Sequence, residues 1–396
     1  MAKRPDNLLV VAPEVPRHDQ NSGDLRLFSL LKILAHSHCI HYVTPGPPGP
    51  QEYADDLRSI GVTVLPAGAS FAGLLRGRRF KTALLEFYHV AEHYLPRIRL
   101  LQPKCRVVVD TVDVHFLREA MRGRVTGDDR AVERAASTKT RELNIYAQAD
   151  MVITVTEDDA HALLPHCERR RVRVIPNVHE LARPRTRASS ATLVFVGGFK
   201  HFPNVDAVTY LCREILPLVR QRVPTVHLTI VGSNPPPEVW ALREDHVLVT
   251  GFVPSTTPYL HSSRVSVAPL RFGAGMKGKI GEAMAHGVPV VTTTVGAQGM
   301  RLQHGINVLI ADKPASFAAA VVDLLTDDIL HDRITRNALD HLARHFTPIQ
   351  AGAALTAAFG DLDALPLKRM PLSGKARFLG GWALGRIRSF FRTAEP

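Results

Sequence analysis

The stretch RVSVAPLRFGAGMKGKIGEAMAHGVPVV, residues 264–291, decides the fold expected of this chain. It begins with a short apolar run, continues through a glycine-rich loop into a stretch of helical character, and ends in the apolar run Pro289-Val290-Val291. A strand, a helix and a second strand in this order form one βαβ unit of a parallel sheet. The stretch therefore predicts a glycine-rich loop at the carboxyl end of a buried strand.

The same rhythm extends along most of the chain. Runs such as NLLVVAP (7–13) and CRVVVD (105–110) are continuously apolar, which indicates parallel strands covered on both faces. The polar segment HELARPRTRASSAT (179–192) lacks periodicity and is predicted to be a linker. Long helical regions are predicted from about Phe116 to Gln148 and from Pro314 to Phe346.

We therefore predict the α/β class, with two Rossmann-like, doubly wound domains. The expected N-terminal domain covers residues 1–182. The expected C-terminal domain covers residues 190–345. Helices and a basic tail are expected at 346–396. A length of 396 residues is itself typical of two domains rather than one core.

Composition bounds the compartment and excludes several classes of protein. The apolar content of 45% and charged content of 22% are typical of an ordinary folded protein. The four cysteines lie far apart, which favours a reducing compartment and argues against a structural zinc site. The early apolar run LLVVA is too short for a signal peptide, and no apolar run of about 18 residues predicts a membrane span. We expect a cytoplasmic protein, or one peripheral on the inner face of the cell membrane.

The chain carries a net charge of +12, with a pI near 9.8. Such a charge fits nucleic acid, anionic lipid or phosphate-bearing small molecules as partners. Residues 364–396 hold seven cations against Glu395 alone. The basic tail, residues 368–392, is expected either to contact an anionic membrane surface or to pack on the N-terminal domain. No helix-turn-helix pattern or aromatic–basic platform is present, so nucleic acid is not an expected partner.

The glycine-rich loop has the chemistry of a phosphate site. Its glycines allow backbone amides to approach a ligand closely, and the following helix would direct its positive end at that ligand. Lys277 and Lys279 add two cations, whereas the Glu282 carboxylate is suited to accept hydrogen bonds from ribose hydroxyls. Phosphates and a ribose together indicate a nucleotide-sugar. The alternative is a flexible loop with a solvated Lys/Glu helix face.

Extended to RFGAGMKGKIGEAMAHGVPVVTTTVGAQGM (271–300), the stretch resembles the donor-site segment of family 4 (group 1) glycosyltransferases, which are retaining enzymes of the GT-B fold. Four further segments occur in the order typical of that family: VRVIPNV (172–178), LVFVGGFKHFPNVDAV (193–208), LTIVGS (228–233) and VTGFVP (249–254). The resemblance is specific over roughly Met151 to Ala311 and rests on topology elsewhere. It implies that the N-terminal domain binds the acceptor and the C-terminal domain binds the nucleotide-sugar, with the two domains facing a cleft. It also implies a C-terminal helix that crosses back to the N-terminal domain.

The resemblance also assigns roles, and this chain departs from some of them. Glu282 matches the family's ribose-binding glutamate, whereas the family's first glutamate, which touches the donor sugar, falls on Ala274. The arginine and lysine of the family's VGR…KN element fall on Gly198 and Pro203, so lysines nearby become candidates to supply charge to the diphosphate. The expected donor-binding residues are Gly23, Gly198, Lys200, Gly273, Ala274, Gly275, Met276, Lys277, Lys279 and Glu282.

In the N-terminal half, Gly23 and Asp24 fall where the family has a glycine-rich loop that faces donor phosphate or acceptor. Asp24 alternatively caps the first helix. His115 matches a cleft histidine that touches the donor sugar, with Asp113 and Arg118 beside it; the alternative is a loop histidine without a role. Asp110 and Asp113 have the wrong spacing for a metal-binding DxD pair, and the family generally needs no metal, so neither a metal nor a cofactor is expected.

The resemblance implies transfer of a sugar, with retention, from a nucleotide-diphospho-sugar to a glycan or lipid-linked glycan, in cell-surface polysaccharide synthesis. The expected catalytic residues are His115, Lys277, Lys279 and Glu282. Because no second carboxylate is identified as a nucleophile, a front-face route is favoured over double displacement. Two alternatives remain open: a nucleotide-sugar epimerase on the same fold, and a non-catalytic glycosyltransferase-like partner.

Overall fold

The computed structural model describes residues 6–46, 49–66, 68–182, 188–273 and 275–369, with the backbone alone at 125–126. The first sheet in this part of the chain has seven parallel strands in the order β3-β2-β1-β4-β5-β6-β7. Its strands are β1 (Asp6–Val11), β2 (His38–Val43), β3 (Thr63–Val64), β4 (Thr82–Glu86), β5 (Arg106–Asp110), β6 (Met151–Thr154) and β7 (Val172–Val174). The helices of this domain are α1 (Ser22–Leu34), α2 (Gln51–Ser59), α3 (Phe71–Gly77), α4 (Tyr88–Leu101), α5 (His115–Thr126), α6 (Asp129–Gln148) and α7 (Glu157–Leu163).

The second sheet has six parallel strands in the order β10-β9-β8-β11-β12-β13. Its strands are β8 (Thr192–Val196), β9 (His227–Val231), β10 (Val247–Gly251), β11 (Val265–Ala268), β12 (Val290–Thr292) and β13 (Leu309–Ile310). Its helices are α8 (Phe202–Tyr210), α9 (Leu216–Arg222), α10 (Pro237–Trp240), α11 (Thr257–Ser262), α12 (Gly278–Ala285), α13 (Thr294–Ala297), α14 (Pro314–Thr326) and α15 (Asp328–His345). The prediction of two Rossmann-like parallel sheets is confirmed.

The apolar runs are buried on both faces of each sheet, as their lack of alternation predicted. In β1, Leu8 and Val10 face one hydrophobic cluster, whereas Leu9 and Val11 face the cluster on the opposite side. All four side chains are fully buried. Helices therefore cover both faces of the sheet. Polar groups of the domain lie at the sheet edges, where loops leave the strands.

The C-terminal helix crosses back to the first domain. Helix α16 (Pro348–Ala364) packs on α1 and buries one face, formed by Ala351, Leu355, Ala358 and Leu362, in the core of the N-terminal domain. This crossing confirms that part of the expected fold. It also joins the two domains through a helix that follows the second one.

The predicted long helical region at Phe116–Gln148 is two helices rather than one. Helix α5 ends at Gly127, whose φ of 67° lies in the left-handed region that glycine adopts without strain. Asp128 then caps α6 by accepting a hydrogen bond from the Ala131 amide at 3.2 Å. The region Pro314–Phe346 divides in the same way, because Asp327 caps α15 through the Leu330 amide.

A buried ion pair lies beneath the first helix of the N-terminal domain. Arg26 Nη1 donates to Asp110 Oδ2 at 2.6 Å and Nη2 donates to the Ile175 carbonyl at 2.8 Å. Both charged side chains are 1% exposed. The pair fixes α1 against the carboxyl end of β5, so the Asp110 carboxylate is engaged in structure.

We expect Asp110→Ala to lower the free energy of unfolding by about 3–5 kcal/mol, because it leaves the Arg26 guanidinium buried without its counter-charge. Urea denaturation followed by circular dichroism measures the change. Asp55→Ala is the matched control, since its ion pair with Arg58 is exposed and is expected to contribute less than about 1 kcal/mol. Equal losses in the two variants would contradict the prediction.

Candidate functional site

The carboxyl edges of the two sheets face each other and touch through glycines. A Cβ atom built at Gly278 would lie 2.4 Å from Ser22 Cβ, and one built at Gly275 would lie 3.2 Å from Asp113 Cβ. A Cβ atom at Gly198 would lie 3.5 Å from the Gln20 carbonyl oxygen. The loops that follow the strands of both domains therefore form one closed cleft, in the position where open α/β sheets bind ligands.

The glycine-rich loop connects β11 to α12, as the sequence predicted. Gly273 and Gly275 adopt φ values of 141° and 68°, which L-residues rarely adopt. Met276 is buried beneath the loop, and Ala274 lies outside the described residues. The residue that precedes α12, Lys277, makes no side-chain cap, so the first amides of the helix keep the positive end of its dipole toward the cleft.

Lys277 is turned into its own loop. Its side chain is 8% exposed, and Nζ donates to the Gly275 carbonyl at 2.6 Å. Burial lowers the pKa of Lys277 to about 8, although the carboxylates of Asp159 and Asp113 oppose this shift. In this arrangement Lys277 clamps the loop and contributes positive charge, and direct contact with a diphosphate stays a prediction.

Lys279 reaches across the cleft floor to the loop after β8. Its Nζ donates to Asn204 Oδ1 and lies 4.4 Å from the centre of the Phe195 ring. A Cβ atom built at Gly197 would lie 2.8 Å from the same Nζ. Burial and the neighbouring Lys277 lower the pKa of Lys279 to about 7, against the opposing effect of Glu282. Lys279 is thus the cation that two glycine-containing loops share.

The loop between β8 and α8 carries the other two predicted residues of this region. The Gly198 carbonyl accepts a hydrogen bond from Asn204 Nδ2 at 2.6 Å, which fixes the loop against the start of α8. Lys200 is exposed on this loop. No described hydrogen bond or ion pair joins Lys200 to Lys277, Lys279 or Glu282, so the structure does not bring Lys200 into the cluster.

Asn204 was missed by sequence reasoning, although it lies within the quoted segment LVFVGGFKHFPNVDAV (193–208). It bonds both Lys279 and Gly198, and so it connects the two loops. The signal was an amide side chain at the start of a helix, just after a glycine pair. Thr256 was missed as well, because nothing in the segment 249–257 indicates that its hydroxyl bonds Glu282.

Glu282 lies on α12 one turn after Lys279. Its carboxylate accepts a hydrogen bond from the Thr256 hydroxyl, and the side chain is half-buried rather than directed at bulk solvent. Burial raises the pKa of Glu282, whereas the Thr256 hydroxyl, His286 and Lys279 lower it. The Glu282 carboxylate can only accept hydrogen bonds, and it lies beside the Lys279 ammonium. It is therefore suited to bind the hydroxyl groups of a polar ligand.

The loop after β5 brings the predicted N-terminal residues together. His115 Nδ1 lies 3.1 Å from Asp113 Oδ1, and Arg118 Nη1 bonds the other oxygen of the same carboxylate. His115 also lies against the rings of Phe87 and Tyr88. All three predicted residues therefore stand at one point, next to Gly275 of the opposite domain.

The start of helix α1 shows which residue caps it, and that residue is not Asp24. Asn21 is the residue that caps the helix, because its side chain accepts a hydrogen bond from the Asp24 amide at 2.9 Å. Asp24 instead accepts a hydrogen bond from the Arg17 amide at 2.9 Å, and burial raises the pKa of its carboxyl. The suggestion that Asp24 is the cap is wrong, because the helix begins three residues earlier than the sequence pattern indicated. Gly23 lies in the first turn, against Val112.

Of the basic tail, residues 370–396 lie outside the described residues. Lys368 precedes them: its backbone amide donates to Asp150 Oδ1 at 2.7 Å, and its Nζ lies 3.3 Å from Glu168. The tail thus begins against the N-terminal domain. In the part of the chain that is described, no helix combines the length and hydrophobicity of a membrane span, and no group of three His, Cys, Asp or Glu side chains could hold a metal ion.

Comparison with known proteins shows what this part of the chain resembles. Residues 190–327, which include the glycine-rich loop, match the model of the family described as Glycosyl transferases group 1. The C-terminal sheet with its loops is therefore similar to the domain that this model describes. Lys279, Asn204 and Glu282 all belong to this domain.

Two relatives resemble parts of the chain. The putative glycosyltransferase YtcC of Bacillus subtilis is 27% identical over 201 residues, which are 49% of this chain and 43% of that protein. An uncharacterized 44.6 kDa protein in the cps region of Klebsiella pneumoniae is 23% identical over 158 residues, 38% of this chain and 41% of that protein. The chain thus spans less than half of the length of these relatives.

Solved structures show the likeness over both domains. Sucrose-phosphate synthase from Thermosynechococcus elongatus superposes with a TM-score of 0.72 at 14% identity, over 91% of this chain and 99% of that one. Anabaena HepE, solved with UDP and glucose, superposes with a TM-score of 0.66 at 14% identity, over 90% and 99%. The N-terminal and C-terminal domains together form the GT-B fold.

Proposed function

We propose that this protein transfers a glycosyl group, with retention, from a nucleotide-diphospho-sugar to a glycan or lipid-linked glycan in cell-surface polysaccharide synthesis. The observation that carries the proposal is the arrangement on α12. Lys279, the helix N-terminus and the two glycine-containing loops gather positive charge and amides, and Glu282 stands one turn further on. This order matches a diphosphate followed by the ribose of one ligand.

In the proposed mechanism the positive groups stabilise the departing nucleoside diphosphate. Charge grows on the phosphate oxygens as the glycosidic bond breaks, and preorganised cations and amides are most effective where charge develops. Lys279 acts directly, and Lys277 acts through the loop that it clamps. The leaving phosphate accepts the proton of the acceptor hydroxyl on the same face of the sugar, which retains configuration. The proposal assigns neither a metal ion nor a cofactor to the reaction.

The N-terminal domain is proposed to present the acceptor. Gly23, Asp24, Asp113 and Arg118 lie at its edge of the cleft, and His115 is proposed to contact the donor sugar. Closure between the domains excludes water, which limits hydrolysis of the donor. Support comes from neighbours of the same fold, since Anabaena HepE was solved with UDP-glucose and Staphylococcus aureus TarM with UDP. The tail at 368–392 is proposed to approach an anionic membrane surface.

A thermal-shift screen tests the proposal. Binding to the native state raises the melting temperature, so UDP, GDP, dTDP and ADP, each with its sugar conjugate, identify the donor base. Product analysis with and without acceptor glycans then separates three functions. Transfer to acceptor supports the proposal; epimerised sugar without an acceptor indicates an epimerase; binding of none of the eight compounds favours a non-catalytic partner.

We expect the affinity for the nucleoside diphosphate to fall about tenfold per pH unit above pH 7. The pKa of Lys279 is about 7 in the free protein, below its ordinary value of 10.5, so the ammonium is mostly neutral at pH 8. A diphosphate favours the charged form, and binding therefore takes up a proton in this window. Below pH 7 Lys279 is already charged in the free protein, so its protonation no longer changes the affinity.

Isothermal titration calorimetry at pH 8 in HEPES and in Tris measures this uptake, because the two buffers differ in ionisation enthalpy. About one proton per ligand is expected in the wild type, and Lys279→Gln is the matched control that removes it. Identical binding enthalpies in the two buffers would show that Lys279 does not change its charge on binding.

A further inference from the structure

Two buried polar atoms at one edge of the N-terminal sheet have no hydrogen-bond partner among the described residues. They are Thr111 Oγ1 and Asp159 Oδ2, which follow the adjacent strands β5 and β6. Buried polar atoms are nearly always paired in folded proteins, so such a group requires an explanation. Asp159 requires it most, because this aspartate is 3% exposed.

Helix capping accounts for only part of the hydrogen bonding of Asp159. The residue stands in the first turn of α7, where Thr156 Oγ1 accepts a hydrogen bond from the Asp159 amide at 2.9 Å. The Thr156 hydroxyl also stabilises the charged carboxyl, which lowers its pKa. Carboxylates are common in this position, where they favour the helix dipole. Neither contact reaches Oδ2, so one oxygen of the buried carboxyl has no structural partner.

The Asp159 carboxyl lies close to charged groups of both domains. Burial is the largest effect on this group and raises the pKa of Asp159 to about 6, whereas the Lys277 ammonium lowers this pKa and the Asp113 carboxylate raises it. Asp159 therefore lies within electrostatic range of Lys277, which belongs to the glycine-rich loop of the C-terminal domain, and of Asp113, which lies against Gly275.

The charges at and near Asp159 Oδ2 determine which chemical group can bind there. An acceptor-only oxygen needs a donor, and this excludes a phosphate group from direct contact with Asp159. The Lys277 ammonium already supplies a positive charge to Asp159, so a second cationic group is not required. A neutral hydroxyl satisfies both conditions.

We propose that Asp159 recognises the donor sugar, with Oδ2 accepting a hydrogen bond from one of the sugar hydroxyls. The inference rests on the proposed function and adds a specificity residue to it. Asp159 reaches the sugar from the N-terminal domain, whereas Glu282 and Lys279 hold the nucleoside diphosphate from the C-terminal domain. The sugar is therefore read only when the two domains are closed on each other.

Asp159→Asn tests the inference, because asparagine keeps the shape of the side chain and removes the acceptor charge. The probes are UDP with UDP-glucose, GDP with GDP-mannose, ADP with ADP-glucose and dTDP with dTDP-glucose, and the pair that the wild type binds most tightly is used. Dissociation constants are measured at pH 6.5, where Lys277 remains charged. We expect at least a tenfold loss for the nucleotide-sugar and a change within twofold for the nucleoside diphosphate.

Asp158→Asn is the matched control, since the neighbouring aspartate is exposed on the same helix and is expected to change neither affinity. Asp159→Ser provides a second variant with the same expected loss, should the asparagine variant fail to fold by its melting curve. Equal losses for the nucleotide and the nucleotide-sugar would overturn the inference, because they would show that Asp159 only positions Lys277 and the loop. Unchanged affinities would overturn it too, whereas a wild type that binds none of the eight compounds would remove the proposed function itself.

Discussion

Lys279→Gln is expected to reduce kcat/KM for sugar transfer by about 10²–10³-fold, with the melting temperature of the free protein preserved or raised. Lys279 is the cation that lies against Gly197 and Asn204, so it stands where the leaving diphosphate would gather charge. Removal of one preorganised group that stabilises such charge costs a factor of this size. Burial of the ammonium is unfavourable in the free protein, which explains why glutamine should not destabilise the fold.

The measurement is a steady-state assay with the donor that the thermal-shift screen identifies. Lys313→Gln is the matched control, because Lys313 is exposed in the same domain, before α14, and lies outside the cleft. The loss in the Lys279 variant should appear mainly in kcat, since the charge is stabilised more in the transition state than in the bound donor. A Lys279 variant as active as the Lys313 variant would exclude the proposed role.

Glu282→Gln is expected to weaken nucleoside diphosphate binding about 10–100-fold and to leave inorganic pyrophosphate binding unchanged. The carboxylate is proposed to accept hydrogen bonds from the ribose, and bonds to a charged group contribute about 1.5–3 kcal/mol each. Glutamine still accepts the bond from Thr256 but loses the negative charge. Pyrophosphate lacks the ribose, and it therefore separates this residue from Lys279, whose variant should weaken both ligands.

Calorimetric titration with the two ligands gives the comparison directly. Glu238→Gln is the control on the same domain, because Glu238 is exposed on the short helix α10. Should pyrophosphate and the nucleoside diphosphate weaken together in the Glu282 variant, the carboxylate would be organising α12 rather than holding a ribose.

Much of the fold followed from the local pattern of the sequence. Continuous apolar runs gave the parallel strands, and the glycine-rich stretch gave the loop between β11 and α12, because both signals depend on residues that are neighbours in the chain. The break at Gly127-Asp128 was missed although its signal is equally local, since a left-handed glycine followed by a capping aspartate marks a helix boundary.

The candidate site followed only in part. The sequence placed Lys277, Lys279 and Glu282 near one helix, but it did not distinguish the roles of the two lysines. Their surroundings differ: Lys277 turns back to the Gly275 carbonyl, whereas Lys279 crosses to Asn204 at the start of α8. This difference depends on where β8 and β11 lie beside each other in the sheet, which periodicity does not encode.

The sequence by itself determined the class of the fold, the position of the glycine-rich loop and the residue types available for binding phosphate and hydroxyl groups. The tertiary structure alone decided which of those residues meet. Asp159 lies within electrostatic range of Lys277, Asp113 lies against Gly275, and α16 returns to α1 only because two sheets from different parts of the chain turn their carboxyl edges toward each other. Such contacts join residues that are far apart in the chain, and their charges and hydrogen bonds are fixed by packing rather than by local propensity.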